Sequence, residues 1–183
     1  MTMETRYKSN VGHGPKSKKP PYKKPQAVKD LETMADLDNQ QRHPNTPPKY
    51  LASSKYRDDT ANGLTKCIID FIRFNGCQAE RINTMGIPRD SRKTVTDIVG
   101  HSRVIGSVEW RTSGTTKGSA DISAIIRGQS VKIEVKIGHD RQSDAQRDYQ
   151  ASVEQAGGMY YIARNFTDFI AWYQRTFKKG GAR

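Results

Sequence analysis

Apolar residues recur along the second two thirds of the chain at spacings that name its elements. Leu64, Cys67, Ile68, Phe71, Ile72 and Phe74 fall three to four positions apart and stop at Asn75-Gly76, which predicts an amphipathic helix of about three turns. Residues 78–84 read as a strand closed by Gly86 and Pro88. Residues 86–117 form a mostly polar insertion with one strand at 104–110. Two alternating runs, 120–126 and 131–137, flank the turn residues Arg127-Gly128-Gln129 and predict a β-hairpin. A helix follows from Ser143 to about Ala156, stopped by Gly157-Gly158. An apolar strand spans Met159–Ala163. Asn165, with Asp168 three residues on, caps a last helix carrying Phe166, Phe169, Ile170, Trp172, Tyr173 and Phe177. The order of helices and strands predicts a mixed α/β domain with helices against a central sheet.

Composition divides the chain. Seven of the eight prolines lie in the first 48 residues, among Gly, Ser, Asn and Lys, so residues 1–60 read as a disordered tail and 61–183 as one domain with one core. The chain carries 31 Lys+Arg against 19 Asp+Glu, a net charge of +12, which favours a polyanionic partner. Within the tail, Lys16, Lys18, Lys19, Lys23 and Lys24 surround Tyr22 without an acid, a segment suited to a phosphate backbone or simply to solvation. No run is long and apolar enough for a membrane span, and the polar N-terminus lacks the apolar centre of a secretory signal, so a soluble, cytoplasmic protein is expected. Cys67 and Cys77 are too few and too poorly spaced for a disulfide framework or a zinc knuckle.

Side chains alternate faces along strands, so the hairpin can be read by parity. Ile122, Ala124, Ile126, Val131, Ile133 and Val135 share one face; Asp121, Ser123, Lys132, Glu134 and Lys136 share the other. With Gly128-Gln129 as a two-residue turn, Asp121 falls directly opposite Lys136 and diagonal to Glu134. A three-residue loop would place Asp121 beside Val135 and mix charge into the core. Two converging carboxylates repel unless a cation joins them, and hard oxygen ligands suit Mg²⁺ or Mn²⁺. The lysine then serves to orient water or to stabilise charge on a phosphate. An ordinary ion-pair cluster on a solvated sheet face has the same spacing.

Gly118-Ser119-Ala120-Asp121, Ile133-Glu134-Val135-Lys136 and Ser143-Asp144-Ala145-Gln146 together resemble the PD-(D/E)XK nucleases, most closely the VRR-NUC family, over about residues 63–177. The resemblance implies a restriction-endonuclease-like core. It implies Asp121, Glu134 and the Val135 carbonyl as ligands of Mg²⁺ or Mn²⁺, Lys136 as the catalytic lysine, and Gln146 as the family's glutamine on the following helix. Ser143-x-x-Gln146 is also a capping box, and a single side chain is expected to serve only one of these roles. The chain departs from the family in having Ala120 where a proline is usual, and no Glu near residues 62–69 of the first helix, where Asn62 or Asp70 would have to substitute.

The implied activity is metal-dependent hydrolysis of DNA phosphodiesters, with branched, flapped or junction DNA as the substrate class, a bacterial or phage origin, and room for a homodimer. Arg81 and Asn83, alternating with Ile82, are candidate phosphate contacts or a solvated strand face. Arg111 and Lys117, flanking the polar loop before Gly118, are candidate clamps on a nucleic-acid backbone. A non-catalytic DNA- or RNA-binding module is the rival reading of the same basic surface.

Overall fold

The computed structural model describes residues 21–83, 86–111 and 114–177. Lys16, Lys18 and Lys19 of the basic tail, the end of the strand expected at 78–84, and the positions after 177 lie outside them.

Four strands form the central sheet: β1 (Gln78–Arg81), β6 (Ile122–Ile126), β7 (Gln129–Val135) and β8 (Met159–Ala163), in the order β1-β6-β7-β8. The first two pairings are antiparallel and β7 pairs β8 in parallel, so the sheet is mixed. Helix α2 (Ala61–Phe74) starts at Thr60, whose hydroxyl accepts from Gly63 N at 3.1 Å, and ends where Gly76 takes φ +72°. Helix α4 (Phe166–Phe177) is capped as its sequence predicts, Asp168 N donating to Asn165 Oδ1 at 2.8 Å. These two helices cover one face of the sheet, and helix α3 (Asp144–Gln155) lies on the other side, where Tyr149 meets Tyr160 edge to face. The six apolar hairpin positions identified by parity are all buried between the sheet and α2 and α4. Phe71 anchors the helix side, its ring edge-on to Phe166, Phe169 and Tyr173.

The boundary at residue 60 is corrected. Helix α1 (Gln26–Arg42) packs on α2 and α4 and buries Val28, Leu31 and Ala35 at 0–4% exposure. Pro25 is its N-cap, so a proline that suggested disorder instead begins a helix, where its fixed φ is tolerated. The segment between α1 and α2 is also tied down. Glu32 accepts from Lys24 Nζ at 2.6 Å and from Tyr56 N at 2.8 Å; buried Asp58 accepts from Tyr22 Oη at 2.8 Å and from Phe166 N at 3.2 Å. Residues 21–60 therefore complete the core.

The insertion is more ordered than its polarity suggests. β2 (Ile87–Asp90) pairs antiparallel with β5 (Val108–Arg111), and β3 (Lys93–Thr96) with β4 (Ser102–Ile105), in one continuous register. The result is a single long hairpin, its two ladders joined where Ser91 and Ser107 exchange hydrogen bonds. The strand expected at 104–110 is in fact parts of β4 and β5, interrupted at Gly106, whose φ of +110° needs glycine.

Candidate active site

The turn between β6 and β7 is Arg127-Gly128, both with positive φ (49° and 82°), one residue earlier than the Gly128-Gln129 turn expected. Moving a two-residue turn by one position moves cross-strand partners by two, so the face assignment survives and the partner changes. The ladder runs to Ile122 opposite Ile133, and its next step sets Asp121 opposite Glu134, with Lys136 on the diagonal. The like charges, and not the opposite ones, stand face to face.

Asp121 sits just before the first residue of β6. Its carbonyl accepts from Ile82 N at 2.8 Å and its Oδ2 from Val135 N at 2.9 Å, which fixes it between β1 and β7. Glu134 and Lys136 are 2% and 6% exposed, so the solvated ion-pair alternative does not describe them. Lys136 Nζ lies 3.1 Å from Glu134 Oε1, 3.1 Å from Gln146 Oε1 and 3.4 Å from Asp140 Oδ2. Gln146 Nε2 donates to Glu134 Oε1, while its Oε1 also accepts from Ser143 N at 3.0 Å. The capping box is complete, with Gln146 N donating to Ser143 Oγ. The expectation that one side chain could serve only the cap or the site is thus corrected: the carbonyl oxygen caps the helix and the amide nitrogen holds Glu134. α3 is thereby fixed over the acids.

Gly118 makes this approach possible. Its φ is +82°, and a Cβ there would stand 2.1 Å from Ala145 O in the first turn of α3. The glycine of the Gly118-to-Asp121 motif lets the loop touch the helix that carries Gln146.

Burial pushes the Glu134 carboxyl above its ordinary value, and the charge of Asp121 adds to the rise, against the pull of Lys136. For Lys136, burial works downward, but Glu134 and Asp140 outweigh it and hold the ammonium above its ordinary value. Glu134 Oε2 is buried with no hydrogen-bond partner. An orphaned carboxylate oxygen beside a second carboxylate, with hard donors only, fits a divalent cation. Among the described residues no cluster of three or more His, Cys, Asp or Glu is placed to hold a metal, so any such ion would rest on two carboxylates and main-chain oxygen.

Neither proposed substitute for the missing first-helix acid joins the two. Asp70 accepts from Tyr56 Oη at 2.9 Å and Lys66 Nζ at 3.1 Å. Asn62 accepts from Arg81 Nη2 at 2.9 Å. Arg81 pairs with Ile122 and so takes the parity opposite to Asp121; it belongs to the α2 side of the strand end. Asn83 is exposed just beyond it. Lys117 is exposed and lines a groove along α3 with Asp144 and Asp148. Arg111 closes β5 opposite Ile87. Lys23 is exposed, whereas Lys24 is committed to Glu32.

Two residues near the acids were not assigned to the site from sequence. Asp140, four residues after Lys136, lies in the loop before α3. Tyr160, on β8 beside Lys132 of β7, stands on the acid face. Burial pushes its phenol up to about 12, with Glu134 and Asp121 adding to the rise and Gln142 opposing it. Only the parallel register between β7 and β8, invisible in local sequence, could have revealed it. No family model and no curated protein matches the chain.

Proposed function

We propose that the chain is a divalent-metal-dependent phosphodiester hydrolase acting on DNA, of PD-(D/E)XK and most nearly VRR-NUC type. The observation that carries this reading is the buried Glu134 with an unpartnered oxygen, facing Asp121 and flanked by Lys136 and Gln146. Asp121, Glu134 and the Val135 carbonyl are the residues that would hold Mg²⁺ or Mn²⁺, which supplies Lewis-acid polarisation of the phosphate and an acidified water. Lys136 contributes a fixed positive charge. Held beside Glu134 and Asp140, the ammonium is placed to stabilise charge developing on the phosphate. Gln146 keeps the Glu134 carboxylate aimed and ties it to the helix. The net charge of +12 supplies attraction to the polyanion. Selectivity for flaps or junctions, action as a homodimer and a cytoplasmic setting in a bacterium or phage extend the same reading.

The rival, a DNA- or RNA-binding module without catalysis, draws on the absence, among the described residues, of three side chains placed to hold a metal together. One assay separates them. Plasmid, flap and four-way-junction substrates are incubated with Mg²⁺, Mn²⁺ or EDTA, using the full chain, Glu134→Gln and Lys136→Ala. Cleavage that needs metal, vanishes in Glu134→Gln and falls by orders of magnitude in Lys136→Ala is expected. Binding without cleavage in every metal condition would favour the module, and undiminished cleavage by either variant would remove the site.

A further inference from the structure

The long hairpin of residues 87–111 is not used by the proposed site, yet it grows from the site's flanks. Ile82, bonded to the Asp121 carbonyl, precedes it by five positions; Gly118, against α3, follows it by seven. Strands of about ten residues make a ribbon roughly 33 Å long. Its main contacts are between its own strands.

The continuous register gives the ribbon two different faces. Lys93 and Arg103 share one face, opposite Ile105 and Val95, with no acid across from either. Arg89 falls on the same parity, with Glu109 directly across from it. The other face carries Trp110, Val108 and Val104, at 67%, 40% and 64% exposure. The tip presents Ile98 and Val99, 105% and 76% exposed. The tip is a built turn: Asp97 Oδ1 accepts from Val99 N at 3.0 Å and His101 N at 2.9 Å.

Residues 87–111 hold five Lys/Arg against three Asp/Glu. Two of those acids are engaged within the ribbon, Asp90 with Arg92 at 2.7 Å and Asp97 with the turn amides. With Glu109 set across from Arg89, the ribbon keeps a small net positive charge, and Lys93 and Arg103 are the cations with no acid across from them. Apolar side chains held at the end of a basic ribbon match the wedges that enter a duplex between base steps while cations follow the phosphates. A second copy of the chain would bring the same positive charge against itself.

We propose that this ribbon is a duplex-DNA grip, with Lys93 and Arg103 on the phosphates and Ile98-Val99 as an apolar wedge that bends the duplex. The inference rests on the nucleic-acid reading of the preceding section but not on catalysis. It is tested in EDTA, where the full chain and its variants bind a 30-base-pair duplex labelled at both ends for energy transfer. Lys93→Ala/Arg103→Ala should weaken binding and lower the salt slope by about two, one for each phosphate left without its cation. Ile98→Ala/Val99→Ala should remove the bend while costing only a few-fold in affinity. All four positions are exposed, and unchanged melting temperatures check that the fold is intact. Equal affinity, slope and bend in all variants would overturn the grip, as would a dimer in solution that Ile98→Ala/Val99→Ala dissociates. Metal-dependent cleavage with neutral ribbon variants would remove the grip and leave the catalytic reading. Ribbon-dependent bending without cleavage in any metal would do the reverse.

Discussion

Glu134 combines burial, a like-charged neighbour and a partnerless oxygen, and each leaves a measurable trace. Its carboxyl is raised above the ordinary value, so the folded state favours the protonated form. The cost of burying the charge is absent well below the ordinary carboxyl value of 4.5 and is fully felt once the pH passes the raised value. Glu134→Gln removes that cost and keeps an acceptor for Gln146. In metal-free protein its melting temperature, relative to the parent, should therefore rise as the pH is taken from 4 to 7; a difference that stays flat or reverses would contradict the burial argument. Gln146→Glu tests the amide itself. The cap to Ser143 N survives, but Glu134 loses its donor and meets another carboxylate, so a loss of about 1–3 kcal/mol is expected in EDTA. Urea melts would show it, and Mg²⁺ should recover part. Unchanged stability would mean that only the cap matters.

Among the elements, α1 is the one whose importance is least apparent from composition. Leu31, 1% exposed at the junction with α2 and α4, should cost about 2–5 kcal/mol when cut to Ala. Truncation before residue 50 should leave a chain that does not fold cooperatively, because Val28, Leu31 and Ala35 would be missing from the core. A cooperative unfolding transition of normal amplitude in such a truncation would show α1 to be an accessory.

At the scale of the whole molecule, charge and fold are separable. Residues 1–20 contain Arg6, Lys8, Lys16, Lys18 and Lys19 against Glu4. Their removal should leave the melting temperature unchanged while weakening DNA binding at low salt and flattening its salt dependence. Turnover at saturating DNA should survive. Identical salt slopes would assign the basic leader to solubility alone, and loss of turnover would give it a part in building the site.

Local periodicity and capping are legible in the order of residues. The helices α2, α3 and α4, the hairpin with its apolar face, the strand Met159–Ala163 and the grouping of Asp121, Glu134 and Lys136 all follow from spacings of two or of three to four. Each remaining feature depends on contacts between residues distant in the chain. Arg127 accepts the left-handed turn position, which only the ladder beyond it reveals, and so Glu134 became the partner of Asp121. α1 places Val28, Leu31 and Ala35 at helical spacing, but among many polar neighbours and within a proline-rich stretch whose composition points to disorder, and only its packing on α2 and α4 shows the stripe to be core. Gln146 serves two roles because Gly118 lets a loop reach the helix start, and Glu134 and Lys136 are buried where α3 lies across them, a matter of packing that no periodicity encodes.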